Sequence, residues 1–301
     1  MPWLMGRPAL LPCSCLTLLL PALAQDPTPV RLEYAFERLA GKTAVYEVET
    51  EQVVGQVLES AATGPEREKQ TRQAEATTRV LERQAWSFAA GADGGGQIEV
   101  ATERVEVTLE ETSPEGATTR RTPKRTFASD RPGTRPPERI RALLGKAGQK
   151  VGLTVSRAGK VTAVEGVPEE GRAAYKGALL ELPVEPLAPG SGWERREKQP
   201  MPPLGALDYR FRWALATVEA GKRRLEVTIR ADLVEQPAER RYEASLSDQD
   251  GRGWLLLDPD GLVLESLLES RLELKLKTAD GVQVQRLRNR TRQVLKETKS
   301  G

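Results

Sequence analysis

The sequence predicts an all-β protein with minor α content: two related antiparallel β-meanders, curved into an open sheet or half-barrel, with one or two short helices. Three observations predict this. Apolar residues recur at every second position in many short runs, the pattern of a sheet with one face on a core and one in water. Glycine-containing turns separate the runs. Segments of matching kind recur in the same order in two halves of the chain, the mark of an internal repeat.

Residues 1–24 read as a cleaved signal peptide. Arg7 supplies positive charge, an apolar run extends from Ala9 to Leu20, and Ala22-Leu23-Ala24 gives a small-x-small cleavage pattern that sets the mature start at Gln25. Such an apolar core is shorter than the roughly 20 residues a spanning helix needs. Cys13 and Cys15 lie inside the core rather than after it, so the pattern is not that of a lipoprotein. The predicted destination is the periplasm or the extracellular space, and no later stretch is apolar enough to span a bilayer.

The first meander is predicted over 25–167. Val30, Leu32, Tyr34 and Phe36 are expected on one strand face. A turn at Ala40-Gly41-Lys42 leads into a strand with Tyr46, Val48, Thr50, Gln52 and Val54 on one side and Glu47, Glu49 and Glu51 on the other. Glu66 to Arg83 has helix-favouring composition but no continuous apolar stripe, so helix, solvated strand and disordered loop all compete there. Between Ile98 and Leu109 the apolar phase shifts, from Ile98 and Val100 to Val105, Val107 and Leu109, which calls for a bulge or a bend. Residues 116–137 read as a flexible basic loop containing Arg120, Arg121, Lys124, Arg125 and Arg131. A short helix is expected from Pro137-Glu138 through Ile140, Leu143 and Leu144 to Gly145.

Residues 168–183 are a linker or short helix, with helical tendency from Glu169 to Leu182. The second meander spans 184–288 and carries the alternating runs Tyr209-Phe211-Trp213-Leu215, Leu225-Val227-Ile229-Ala231-Leu233 and Leu272-Leu274-Leu276. Residues 289–301 read as a frayed strand end or C-terminal tail.

The repeat is specific in its spacing. Trp86-Ser87-Phe88 and Ile98-Glu99-Val100 return, 127 residues later, as Trp213-Ala214-Leu215 and Leu225-Glu226-Val227. Each pair flanks a glycine turn. A second hairpin follows each, Val155 to Val161 and Leu257 to Val263, centred on Gly159 and Gly261. A glycine turn also precedes each, at Gly41 before Tyr46 and at Gly190 before Trp193. With the signal peptide, the Gly190-x-x-Trp193 element after Leu182-Pro183-Val184 and the Gly-x-(Val/Leu) hairpins, the chain resembles an uncharacterised family of bacterial exported β-rich proteins, classed as a domain of unknown function. The resemblance covers about Val30 to Lys277, with a shorter and less helical segment from Glu169 to Leu182 than the family pattern. It implies an exported β-rich fold and carries over no activity and no site residues.

Composition excludes several chemistries. The chain has no histidine, and after the predicted cleavage no cysteine. That removes the usual general base, the usual zinc ligands, thiolate nucleophiles and disulfide staples. With 45 basic and 43 acidic residues and a net charge of +2, the balance does not suit a nucleic-acid binder. Asp248-x-Asp250-Gly251 and Asp258-x-Asp260-Gly261 resemble fragments of a calcium loop, but the further ligands are missing and both read as turns. The sequon Asn289-Arg290-Thr291 matters only in a eukaryotic secretory setting. No catalytic residue, cofactor or metal is assigned.

What remains is binding. Trp86, Phe88, Phe211, Trp213 and Leu256 are the candidate lining of an apolar ligand site, with Trp193, Tyr209 and Trp254 also expected inward. Core packing uses the same residues, so the two roles compete. The function predicted is a non-enzymatic exported protein that binds a lipid or other amphiphile on the concave face of its sheets. The alternative is a structural or interaction module of the cell envelope whose strand edges dock another envelope protein.

Overall fold

The structure is a computed structural model that describes residues 28–60, 72–115, 118–131, 135–172, 175–238, 242–279 and 281–300. The expected signal peptide and the part of the ambiguous segment up to residue 71 lie outside these. Thirteen strands form one open antiparallel sheet that does not close into a barrel. In chain order they are β1 (Lys42–Ser60), β2 (Arg72–Ala90), β3 (Gly96–Glu115), β4 (Thr118–Arg121), β5 (Arg125–Ala128), β6 (Lys150–Val155) and β7 (Val161–Glu165). The second half supplies β8 (Gly192–Met201), β9 (Gly205–Glu219), β10 (Lys222–Val234), β11 (Glu243–Leu257), β12 (Val263–Thr278) and β13 (Gly281–Ser300). Among the described residues three short α-helices accompany them: α1 (Phe36–Leu39), α2 (Glu138–Leu144) and α3 (Glu169–Arg172).

The sheet runs β7-β6-β3-β2-β1-β13-β12-β11-β10-β9-β8, with β4 and β5 on the outer side of β3. Over residues 84–88 with 98–102, and 211–215 with 225–229, the two meanders keep the same register. Trp86 faces Val100 and Phe88 faces Ile98 in the first, as Trp213 faces Val227 and Leu215 faces Leu225 in the second. Ile98 pairs with Leu153, as Leu225 pairs with Leu255. Gly41 N donates to Phe88 O at 3.0 Å, and Gly190 N to Leu215 O at 2.7 Å. The matching turns close alike, with Gly159 N to Ser156 O at 2.8 Å and Gly261 N to Asp258 O at 3.1 Å.

Four sequence expectations are corrected. The segment from Val30 to Ala35 forms no strand of the sheet: Val30 makes an isolated bridge to Leu187, and α1 begins at Phe36. Its alternation reflects burial as a plug, since Leu32, Tyr34 and Phe36 are all buried while Arg31 is exposed. Residues 289–300 are no tail, because Asn289 to Ser300 belong to β13, which lies between β1 and β12 at the centre of the sheet. Their charged composition reflects one exposed face of a strand rather than solvation all round. The basic loop at 116–137 contains β4 and β5, whose Thr-rich runs pair with β3. Between Glu169 and Leu182 the described helix covers only Glu169–Arg172, which includes Gly171, and Gly177 lies in a turn.

Other expectations hold. α2 ends at Gly145, whose N–H caps Arg141 O at 2.9 Å. The phase shift in β3 is a bulge: Arg83 faces Arg104 but Gln84 faces Thr102, so Val105, Val107 and Leu109 return to the face of Ile98 and Val100. Arg72 to Arg83 forms part of β2, the solvated-strand reading.

The main core sits at one end. Trp86 of β2, Leu153 of β6, Trp213 of β9 and Leu255 of β11 share one cluster with Leu32, Tyr34, Phe36, Leu179 and Leu182. Strands far apart in the sheet can meet only if it curls, so this face is the inner one. The plug is reciprocal. Ala35 N, preceding the first meander, donates to Asp260 O in a turn of the second at 2.9 Å, and Leu182 N, preceding the second, donates to Ala158 O in the equivalent turn of the first at 2.7 Å.

Candidate functional site: an uncharged inner face

Directly opposed residues of antiparallel strands share a face, so the register defines rows across the sheet. One inner row reads Val107, Val80, Thr50, Thr291, Leu268, Gly253, Val227, Trp213 and Trp193, from β3 to β8 without a charge. The next reads Leu109, Thr78, Gln52, Asn289, Ser270, Gly251, Ile229 and Phe211. A third brings together Ala76, Val54, Leu287 and Leu272, with Tyr209 and Ala231 on its far side. The polar members satisfy one another: Gln52 Nε2 donates to Asn289 Oδ1 at 3.2 Å, and the Thr50 and Thr291 hydroxyls meet at 3.5 Å. Asn289 is therefore engaged within a strand.

The outer face is the opposite in character. Glu51 lies between Arg79 and Arg290, and Arg290 faces Glu269, which faces Arg252. Ion pairs follow this ladder, at 3.3 Å for Arg290–Glu269 and 3.8 Å for Arg252–Glu269, with Arg79 against Glu51. Arg292 reaches Glu265 at 2.7 Å, and Arg286 reaches Glu273 at 2.7 Å. The Arg286 guanidinium, seconded by the Ser247 hydroxyl, holds the Glu273 carboxyl down to about 2. Depressions of about 360 and 540 Å³ lie between these charged rows.

Charge on the inner face lies at its margins, as with Arg72 opposite Leu58 and Arg223 opposite Leu257, and several of the marginal groups are ion-paired. Glu82 receives Lys146 Nζ at 3.0 Å, Glu111 meets Arg125 and Arg139, and Arg195 meets Glu197 at 3.4 Å on β8. Burial, seconded by the Glu197 carboxylate, raises the Tyr209 hydroxyl pKa. The inner face is a broad surface rather than a closed pocket, for the recess among Tyr209, Ile229, Leu272 and Leu287 holds only about 40 Å³. Away from the plug its apolar side chains stay accessible: Val54 is 41% and Leu58 39% exposed.

The predicted lining residues separate accordingly. Trp86, Phe88 and Trp213, at 8%, 6% and 6% exposure, fill the plugged core. Phe211 stands at its edge, half-buried, where packed core passes into accessible face. Leu256 is on the outer face, opposite Glu265 and Arg224, because its neighbours Leu255 and Leu257 both point inward. Trp254 shares that outer face, under the Arg224 guanidinium at 4.8 Å, so the inward expectation for both is corrected. Sequence reasoning missed Leu268, Leu287 and the uncharged rows of β12 and β13. The tail reading at 289–301 hid only their row partners Asn289 and Thr291; Leu268 has the parity of the predicted run Leu272-Leu274-Leu276.

The Asp258 motif is a turn: Asp258 Oδ1 accepts from the N–H groups of Asp260 and Leu262, both at 2.8 Å. The turn expected at Asp248 to Gly251 is instead an irregularity within β11, where Asp248 and Asp250 pair with Arg271. Among the described residues no group of three metal-ligating side chains gathers, and no helix is long and apolar enough to cross a membrane.

No family model and no curated protein matches the chain. Among solved structures it is similar to lipovitellin, in a study of lipid–protein interactions, with a TM-score of 0.50 and 12% identity over 87% of this chain. The chain spans only 26% of the lipovitellin chain. It also matches Pseudomonas aeruginosa OccK7 (OpdD), at 9% identity over 84% of this chain and 98% of that one, but with a TM-score of 0.21. The lipovitellin likeness supports the open antiparallel sheet that the register describes.

Proposed function

We propose that this protein is an exported, non-enzymatic binder of lipid or another amphiphile, whose apolar part lies on the uncharged inner face beyond the plug. The observation that carries this reading is the difference between the two faces. Charge is nearly absent from the inner rows between β2 and β10 and dense on the outer ones, although both faces come from the same strands. A sheet that needed only a core and a solvated side would fill its inner face, as the plugged end does. Beyond the plug, Val54 instead stays exposed between Ala76 and Leu287, in a row whose neighbours carry no ionic group, which favours contact with apolar chains. Lipid binding by the similar lipovitellin fold is in keeping with this reading.

The envelope-docking alternative has less support, because edge strand β8 carries Glu194, Arg195, Arg196, Glu197, Lys198 and Pro200. Charges and proline are devices that keep a strand edge from pairing. Native mass spectrometry of the protein from its own envelope tests the proposal. Bound lipid in stoichiometric amount is the expected result; lipid-free protein with a stoichiometric protein partner overturns it.

A further inference from the structure

A cleft of about 750 Å³ opens between α2 and β5, floored by Phe127, Leu144 and Ala147. Arg131, Arg135 and Arg141 line it and are exposed. Among the described residues none of these three side chains has an ion-pair partner, whereas nearby arginines do. Arg104 meets Glu106 and Asp130, both at 3.1 Å, while Arg125 and Arg139 share Glu111. Glu106 also lines the cleft, but it is the carboxylate that Arg104 engages. The cleft therefore presents three guanidinium groups, unpaired among the described residues, over an apolar floor.

That floor continues into the inner face. Phe127 faces Val107 across β5 and β3, and Ile140 of α2 is buried against the same pair, with Val80 packed alongside. Val80 and Val107 begin the uncharged row that leads through Thr50 and Leu268 to Trp213. We infer that the cleft takes the oxyanion headgroup, phosphate or carboxylate, of an amphiphile whose tail crosses the half-buried middle of that row, at Thr50, Thr291 and Leu268. Guanidinium forks suit such a group because they offer paired donors to its oxygens. A free phosphate offers the same oxygens but would leave the half-buried Leu144 and Ala147 of the floor uncovered, which favours the headgroup. This inference rests on the lipid-binding reading above.

The test compares dioleoyl phosphatidylglycerol, neutral dioleoylglycerol and inorganic phosphate on the processed full chain and on R131Q/R135Q/R141Q. The wild type is expected to prefer the anionic lipid by about tenfold, as charge-assisted pairing implies. The variant should lose that preference while holding the neutral lipid as before, with an unchanged circular dichroism spectrum. A preference that survives in the variant overturns the inference, as does equal wild-type affinity for the two lipids. Phosphate that binds unaided and leaves lipid affinity untouched makes this a free-anion site and also overturns it. If neither lipid binds, the inner-face reading itself falls.

Discussion

Leu267 and Leu268 are adjacent, half-buried and on opposite faces of β12, so a carboxylate at each tests the two faces against one another. Leu268 lies between Thr291 and Gly253 in the uncharged row, whereas Leu267 lies between Arg292 and Trp254 on the outer side. In Leu268→Glu the new charge has no basic cross-strand neighbour. It would oppose the two or three methylenes of a chain lying over that position, each worth about 0.8 kcal/mol. Affinity for a long-chain ligand should fall by about 2 kcal/mol, roughly thirtyfold. In Leu267→Glu the carboxylate meets Arg292, a contact worth about 0.2–1 kcal/mol to the fold and nothing to the ligand. The assay is displacement of a fluorescent long-chain fatty acid, with thermal melts of both variants as the control for folding. Equal loss in both variants, or greater loss in Leu267→Glu, would refute the assignment of faces to functions.

Three further outcomes follow from the same geometry. Trp86→Ala and Trp213→Ala, which empty equivalent core positions, should each cost about 3–5 kcal/mol in urea unfolding, against about 1 kcal/mol for Leu256→Ala on the outer face; equal costs would sink the core assignment. Gly159 and Gly261 sit at φ +89° and +87°, and a Cβ there would run into the carbonyl oxygens of Leu180 and Glu33. Alanine at either should destabilise by at least about 1–3 kcal/mol and by similar amounts, and a large disparity in melting shift would count against equivalent turns. The Glu273 carboxyl, held at about 2 against an ordinary 4.5, stabilises the fold fully above pH 4.5, and that contribution is lost as pH falls through about 2. Carbon-detected NMR should place its midpoint there, and Glu273→Gln should flatten that part of the acid-unfolding curve; a midpoint near 4.5 would contradict the pairing with Arg286.

Much of this fold was legible because a strand writes its two faces into alternate residues. The runs at Tyr209 to Leu215 and Leu225 to Leu233 point where parity says, and the 127-residue repeat survives as identical hairpin register. Parity misled where no sheet partner exists. Val30 to Phe36 alternate like a strand, yet they alternate because a plug also has a buried and an exposed side. Composition misled at 289–300, where Arg290 and Arg292, continuing from Arg286 and Arg288, look like a solvated tail but form one face of a central strand. Leu256 and Trp254 were misplaced because apolar character was allowed to outvote position. Trp254, Leu255, Leu256 and Leu257 are apolar at both parities, and only the pairing of Leu255 with Ser266 and Leu225 decides that it is the inward one. The candidate site escaped for a related reason. Its distinguishing property is missing charge across many strands, which no single segment displays.

The repeat also explains why the sheet remains open. Matching the halves sets β1 against β8, β2 against β9, β3 against β10, β6 against β11 and β7 against β12. β13 then has no counterpart: it fills the junction between β1 and β12, while the equivalent junction between β8 and β7 has no strand among the described residues. Closure there would need a strand to bond along β8, and β8 resists this with Pro200, which lacks an N–H, and with Arg195 and Glu197 turned to the inner side. The reciprocal plug holds the two ends near one another without closing them, through Ala35 to Asp260, Leu182 to Ala158 and the bridge from Val30 to Leu187. A closed barrel of these strands would leave its interior reachable only through the two ends. An open one, tied at a single end, leaves the uncharged rows reachable from the side and from the far end, which is the access a long apolar chain requires.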